Sequence, residues 1–228
     1  MESVENKGDG TAEKIWYTGF KTGLHLLRAD HAGRNLTMRV NSNPRLFLEQ
    51  LQCSPVIAAV KNEEGLVKAL DSECAAVFIL YGTLLDIRTL VERVKEAGKL
   101  AFVHIDLIEG LNSRDIAVDF LEETTQVDGI ISTRPNLIHR AKLLGLITIQ
   151  RFFLLDSLSF DSVLRQSSYA DIVDILPGTM PRVIERLCAQ IRQPLIASGL
   201  LQDKQDIMGA LSAGALAVST TREDLWVV

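Results

Sequence analysis

The chain has 228 residues, 47% of them hydrophobic and 23% charged, a balance typical of globular proteins. Its net charge of -5 gives no overall attraction to nucleic acid or an anionic membrane, although a basic patch can exist within an acidic average. No apolar stretch reaches the roughly 18 residues of a membrane span, no signal-peptide pattern opens the chain, and the three cysteines form no C-x-x-C pair. We therefore predict a cytoplasmic protein with reduced thiols and no membrane contact.

The first segment mixes glycines and alternating charges and has few periodic apolar positions. We predict a poorly structured N-terminal extension over residues 1–38 and a single barrel domain over 39–228. Met38 stands shortly before the amphipathic stretch PRLFLEQLQ. This position suggests the hypothesis that translation starts at Met38 and that the preceding residues are an added tail.

From Pro55 onward, eight short apolar runs recur about every 20 residues, and their Val, Ile, Leu and Phe content is typical of strands buried on both faces. The runs are PVIAAVK, AAVFILYG, KLAFVHIDL, VDGIIST, LITIQRFF, ADIVDILPG, PLIASG and ALAVSTT. Helix-like segments separate many of them, for example LLDIRTLVERVKEAG, LIHRAKLLG, FDSVLRQSS, MPRVIERLCAQIR and KQDIMGALSAG.

Eight strands alternating with helices predict an α/β fold, a compact TIM-like (β/α)8 barrel. Residues 56–228 number only 173, so some crossover helices must be short. An open doubly wound sheet is the structural alternative.

Each apolar run gives way at its C-terminal end to polar residues, which a parallel barrel would bring together at one mouth. The last two runs end in Ser198-Gly199 and Ser219-Thr220. Backbone amides after strands seven and eight form the usual phosphate site of such barrels, and the alternative is that these residues only end strands and cap helices. The candidate ligand-binding residues are Lys61, Asp106, Glu109, Arg134, Gly178, Ser198, Gly199, Ser219 and Thr220.

In LAFVHIDLIEG, the strand period places Phe102, His104 and Asp106 on one face, which we expect to point into the barrel. Asp106 could bind ligand hydroxyls, and Glu109 could do the same or act as a general base. For His104 we favour a structural hydrogen bond to a neighbouring carboxylate. No spacing typical of metal ligands occurs, so we expect no metal site.

Lys61 could be a Schiff-base nucleophile, but we favour a cation that faces an anionic ligand. Arg134 and Arg151 could serve the same role or form ion pairs with Asp106, Glu109 or Asp174. Arginines and lysines in IRTLVERVKEAGK and PRVIERLCAQIR are explained by solvated helix faces, with a nucleic-acid footprint left open.

Several segments together resemble the glycerol-3-phosphate-responsive transcription antiterminators, the GlpP family of bacterial regulators. These are PVIAAVK, HIDLIEGL, DGIISTRPNLIHRAKLLGLITIQRFFLLDS, DILPGTMPRVI and ALAVSTTREDLW, and the resemblance covers about residues 45–228. It implies a barrel that binds glycerol 3-phosphate and acts on the leader mRNA of glycerol-utilisation operons, preventing premature termination. By position, Ser198, Gly199, Ser219 and Thr220 would hold the phosphate, with Lys61 and Asp106 near the glycerol end.

One position departs from the resemblance, because Gly-Gly is expected after the seventh strand and this chain has Ser198-Gly199. A side chain there could donate a hydrogen bond or crowd the phosphate. We expect a regulator without catalytic residues or cofactor, and a homo-oligomer stays open. The alternatives are an enzyme on a small sugar or polyol phosphate, with Asp106 or Glu109 as base, and a phosphate sensor whose partner is a protein.

Overall fold

The computed structural model describes residues 2–3, 16–20, 23–29, 35–39 and 44–227, with side chains from residue 44 onward. The chain divides into two compact units, Met1–Asn43 and Pro44–Val228. In the first unit, four strands form an antiparallel sheet in chain order. They are β1 (Glu2–Ser3), β2 (Trp16–Phe20), β3 (Gly23–Ala29) and β4 (Asn35–Arg39).

These strands lie within the segment for which we predict a poorly structured extension, residues 1–38, and the other residues of that segment are outside the described ranges. The sequence WYTGF of β2 is rich in aromatic and β-branched residues, and only two residues separate β2 from β3. Such a pair of runs is a hairpin signal. The predicted domain boundary and the proposed start at Met38 stay predictions.

The second unit is a closed barrel of eight parallel strands, which confirms the predicted α/β barrel and rules out the open sheet. Around the barrel the order is β5 to β12, and β12 pairs with β5 to close it. All eight apolar runs became strands: β5 (Val56–Val60), β6 (Ala76–Ile79), β7 (Leu100–His104), β8 (Gly129–Ser132), β9 (Ile147–Phe153), β10 (Ile172–Leu176), β11 (Leu195–Ser198) and β12 (Ala217–Thr220).

The helices of this unit have eight to ten residues each, so the barrel is short because its crossovers are short. The last strand, β12, is followed by a single 3-10 turn, Glu223–Leu225. Among the described residues, no helix is long and apolar enough to cross a membrane. The helices are α1 (Pro44–Cys53), α2 (Glu63–Asp71), α3 (Ile87–Glu96), α4 (Asp115–Thr124), α5 (Pro135–Leu143), α6 (Ser157–Gln166), α7 (Pro181–Cys188) and α8 (Lys204–Ser212).

The lower half of the barrel interior is filled by aromatic rings. Phe47 of α1 packs on Phe102 of β7 with ring centroids 4.5 Å apart, and Phe78 of β6 meets the same ring edge-on at 5.6 Å. All three side chains are fully buried, and each such burial contributes about 2 kcal/mol. Helix α1 therefore plugs the end of the barrel at which the strands begin.

This aromatic filling leaves no space beside Gly129 on β8. A Cβ atom at this position would overlap the carbonyl oxygen of Ile147 and lie 2.7 Å from Cε1 of Phe102. The glycine is therefore required by close packing of β8 against β9 and the Phe102 ring.

We expect Gly129→Ala to lower the free energy of unfolding by about 2 kcal/mol, because overpacking a filled core forces its neighbours apart. Urea unfolding followed by circular dichroism measures this. Gly209→Ala is the matched control, because Gly209 lies inside α8 and an added Cβ meets only Pro181 Cγ at an ordinary 3.5 Å. There the same change should stabilise the helix by roughly 0.5–1 kcal/mol. Equal effects at both positions would contradict the packing explanation.

Candidate ligand-binding site at the barrel mouth

Above the aromatic layer, five polar side chains project into the barrel. The strand period places each of them two residues beyond an apolar interior residue of its strand, at the C-terminal end. All five are buried. We call this set the polar belt, and its members are His104, Arg151, Asp174, Ser198 and Ser219.

The centre of the polar belt is an ion pair between Arg151 and Asp174. Arg151 Nε lies 2.6 Å from Asp174 Oδ2, and their side chains are 6% and 0% exposed. Ser198 Oγ donates to Asp174 Oδ1 at 2.5 Å and lies 2.6 Å from Ser219 Oγ. Four adjacent strands, β9 to β12, are thus joined by one hydrogen-bonded chain.

Burial raises the pKa of the Asp174 carboxyl, and the Arg151 guanidinium and the Ser198 hydroxyl offset part of that rise. An ionised carboxylate only accepts hydrogen bonds, so the Ser198 proton is directed to Asp174 and the Ser219 proton to Ser198. Neither serine has a proton left for an added phosphate. The side chain at position 198 therefore supports Asp174, and its predicted role at a bound phosphate stays a prediction.

His104 lies at the end of β7 and is 4% exposed. Its Nδ1 is 4.0 Å from Asp106 Oδ2, beyond hydrogen-bond distance, and has no partner in the described part of the chain. The favoured prediction of a structural bond from His104 to a carboxylate is wrong. Burial and the nearby Arg151 charge lower the pKa of His104 to about 4, so the imidazole is neutral at pH 7.

Asp106 does not continue the inward-facing period of β7, because the strand ends at His104 and a 3-10 turn, Ile105–Leu107, follows. Its carboxylate accepts hydrogen bonds from Ser132 Oγ at 2.9 Å and from Thr133 N at 2.7 Å. Arg134 Nε lies 3.5 Å away. Asp106 and Arg134 thus shape the loop after β8, and the ion-pair alternative holds for Arg134 as it does for Arg151.

The loops after β11 and β12 offer free backbone donors. The N–H groups of Gly199, Leu200 and Thr221 donate to no acceptor within the described ranges. Ser198 and Ser219 are register partners, so these loops leave adjacent strand ends. Lys61 follows the next strand, β5, is exposed, and makes no hydrogen bond or ion pair with any described residue. We call these three N–H groups and Lys61 the anion subsite.

The helix that follows β11 does not supply donors to this subsite. Asp203 caps α8 and accepts from the N–H groups of Gln205 and Asp206. The 3-10 turn after β12 has two acidic residues, Glu223 and Asp224, in its first turn. A phosphate at this mouth would therefore be bound by loop amides and not by a helix N-terminus.

Two glycines hold the β11 loop in place. Gly199 has a φ of 75° and Leu200 a φ of 61°, two successive left-handed residues. Gly178 N–H donates to Gly199 O at 3.0 Å, and a Cβ on Gly178 would lie 2.9 Å from Ser198 N. Gly178 therefore positions the loop after β11, and its predicted contact with a ligand stays a prediction.

Two other candidate residues point away from the belt. Thr220 lies on the outer face of β12, where its Oγ1 accepts from Arg222 N at 3.1 Å. Glu109 is exposed, and its backbone N–H donates to Gly82 O at 3.0 Å. Their predicted role in ligand binding stays a prediction.

The sequence indicated Arg151 as a cation for an anionic ligand or as an ion-pair partner, and Asp174 as a possible partner. It indicated Thr221 only as a hydroxyl donor and did not indicate Leu200. A strand period of two, read from the interior apolar positions, would have found the first two. The free N–H groups of the loops could not be predicted, because backbone amides have no residue-type pattern in a sequence. The positive φ of Leu200 could not be predicted either, because leucine rarely adopts it.

Three comparisons with known proteins relate this site to a family. The family model described as "Glycerol-3-phosphate responsive antiterminator" matches residues 56–226, which contain all eight barrel strands. The uncharacterized protein YgcP of Escherichia coli (strain K12) is 43% identical over 184 residues, which cover 80% of this chain and 96% of that protein.

Among solved structures, the glycerol uptake operon antiterminator regulatory protein of Listeria monocytogenes is similar with a TM-score of 0.71 and 31% identity, covering 75% of this chain and 94% of that one. A glycerol uptake operon antiterminator-related protein of Thermotoga maritima has a TM-score of 0.68 and 28% identity, covering 76% and 98%. Aldolases match at 13–16% identity, a level at which only the fold is shared.

Breaking the central ion pair tests whether it organises the upper barrel. We expect Arg151→Met or Asp174→Leu alone to cost about 3–5 kcal/mol, because each leaves one buried charge without its partner. The double variant should cost less than the sum, with a coupling of about 1–3 kcal/mol measured by urea unfolding. The exposed pair Arg88–Glu92 is the matched control and should couple by less than about 0.5 kcal/mol. Additive losses at the buried pair would contradict this.

The neutral His104 predicts an acid-side loss of stability. Between pH 6.5 and about 4 the unfolded chain binds a proton at this histidine and the folded protein does not, so the free energy of unfolding falls as the pH falls. We expect His104→Gln to remove at most about 3 kcal/mol of this decrease over that window. Urea unfolding at stepped pH measures the slope, with His139→Gln on α5 as the matched substitution. A slope in His104→Gln equal to that of the wild type would show that His104 is not its source.

Proposed function

Because the chain belongs to the glycerol-3-phosphate responsive antiterminator family, we propose that it binds glycerol 3-phosphate at the barrel mouth and then binds leader mRNA of glycerol-utilisation operons. In that state it would prevent premature transcription termination. The observation that carries the proposal is the family match over residues 56–226, which includes every strand end that lines the mouth.

The anion subsite fits the phosphate of such a ligand. Three free N–H groups on two adjacent loops and one unpaired lysine on the next strand provide donors and positive charge on one side of the mouth. Phosphate oxygens accept hydrogen bonds and carry negative charge, so both features favour it. No cofactor is needed for binding alone, and that expectation remains part of the proposal.

Regulation requires that the ligand bind two states of the protein unequally, since equal affinities shift nothing. The loop after β11 is our candidate for the part that differs. Leu200 is a non-glycine residue at positive φ and is exposed, so its conformation costs about 1–2 kcal/mol and no packing around it repays this cost. Hydrogen bonds from its N–H to a phosphate would stabilise this conformation.

The arginines of helices α3 and α7 differ in whether their charges are already paired, which affects their availability to RNA phosphates. On α3, Arg88 and Arg93 form ion pairs with Glu92 and Glu63. On α7, Arg182 and Arg186 form no ion pair with any described residue, and Arg186 stacks on the Phe160 ring at 4.7 Å. The face of α7 therefore has more charge free for a polyanion than α3, which supports RNA contact on this side.

A leader-RNA gel shift with increasing glycerol 3-phosphate, at several salt concentrations, tests the proposal. We expect ligand-dependent binding that weakens with salt, because phosphate contacts release counterions. Lys61→Gln should raise the half-maximal ligand concentration about tenfold, since it removes the unpaired cation of the anion subsite.

Arg165→Gln is the matched control for that shift. It removes the same charge from the last turn of α6, which lies at the opposite end of the barrel because crossover helices run antiparallel to the strands. Its half-maximal ligand concentration should equal that of the wild type. RNA binding that is independent of glycerol 3-phosphate, or no RNA binding at low salt, would sink the proposal.

A further inference from the structure

One nitrogen of a buried histidine at the barrel mouth, Nδ1 of His104, has no hydrogen-bond partner among the described residues. This nitrogen is buried and lies inside the barrel. A buried polar atom left without a partner costs about 1–3 kcal/mol, so such atoms usually meet a ligand or an ordered water.

His104 also lies across the mouth from the β11 loop of the anion subsite. In the closed strand order, three strands separate β7 from β11 on either side, so the end of β7 faces that of β11 through the barrel centre, whereas Lys61 on β5 is only one strand, β6, away from β7. A small phosphate ester bound at the anion subsite would extend its other end toward β7.

We propose that His104 is a ligand-contact residue whose imidazole hydrogen-bonds a hydroxyl on the unphosphorylated end of the ester bound at the anion subsite. This inference rests on the proposed function, which supplies the phosphate ester. It also assigns to His104 the recognition of the hydroxyl groups that distinguish a polyol phosphate from other phosphate esters.

The chemistry of the imidazole matches a hydroxyl rather than a second anion. Its pKa is lowered to about 4, so it is neutral at pH 7 and has one donor and one acceptor nitrogen. A hydroxyl both donates and accepts, whereas a phosphate needs donors and positive charge. Burial of the ring and, after it, the neighbouring Arg151 guanidinium keep the ring neutral, because both disfavour a positive charge on the imidazole.

The neighbours of His104 are less able to take this role. Both oxygens of Asp106 accept hydrogen bonds from Ser132 and Thr133, and Arg151 is held by Asp174. The protons of Ser198 and Ser219 are committed along the polar belt. The other members of the polar belt are hydrogen-bonded to one another, whereas the Nδ1 atom of His104 has no partner among the described residues and is available to a ligand.

Isothermal titration of two ligands against three proteins tests the inference. The ligands are glycerol 3-phosphate and propyl phosphate, which has the same carbon chain without hydroxyls. His104→Phe should weaken glycerol 3-phosphate binding about 10- to 100-fold and change propyl phosphate binding less than threefold, because only the hydroxyl contact is lost. His104→Asn places an amide near the position of Nδ1 and should recover part of the glycerol 3-phosphate affinity.

Four results would overturn the inference. An equal loss for both ligands would show a structural role for the ring, and no loss for either would show that Nδ1 meets only water. A wild type that binds neither ligand would reject the proposed function together with this inference, whereas ligand-dependent RNA binding with unchanged selectivity in His104→Phe would reject the inference alone. Thermal unfolding without ligand checks that each variant is folded, and His104→Asn carries the test if His104→Phe is not.

Discussion

The desolvated ion pair of Arg151 and Asp174 is the constraint on which the upper half of the barrel depends. Two charges removed from water are tolerated only when each is paired and hydrogen-bonded, and Asp174 is fully buried. Its carboxylate therefore takes a proton donor from each side, Arg151 on β9 and Ser198 on β11. Ser219 follows as the donor to Ser198, and burial together with the charge of Arg151 holds His104 neutral.

From this constraint follows a division of labour at the mouth. Because the protons of Ser198 and Ser219 are directed along the polar belt, the proposed phosphate would be bound by loop amides and by Lys61, while the neutral His104 would be left for an uncharged group. A glycine in place of Ser198 has no side-chain hydroxyl to donate to Asp174. The serine in this chain therefore supports the barrel interior, and in the proposed function the affinity for phosphate depends on the backbone conformation of Gly199 and Leu200.

The sequence predicted the barrel well because six of its eight strands are apolar up to their last one or two residues, and the convergence of strand ends follows from parallel topology. It failed at Asp106, since a 3-10 turn after β7 breaks the period of two and no residue in HIDL signals that turn. For His104 the predicted inward face is right, and only the predicted hydrogen bond to a carboxylate is wrong. The direction of the Ser198 hydroxyl proton could not be predicted, because it depends on Asp174, a residue distant in sequence, and the predicted role of Ser198 in ligand binding stays a prediction.

The environments at the mouth favour binding over chemistry. A Schiff-base lysine needs a desolvated amine, and Lys61 is exposed. A general base needs a free oxygen near the ligand, and both oxygens of Asp106 accept hydrogen bonds while Glu109 points into solvent. The two buried charged residues at the mouth, Asp174 and Arg151, form an ion pair with one another. What remains is a set of donors of fixed direction around a strained loop, and in the proposed function a ligand bound by this set would change the population of that loop conformation.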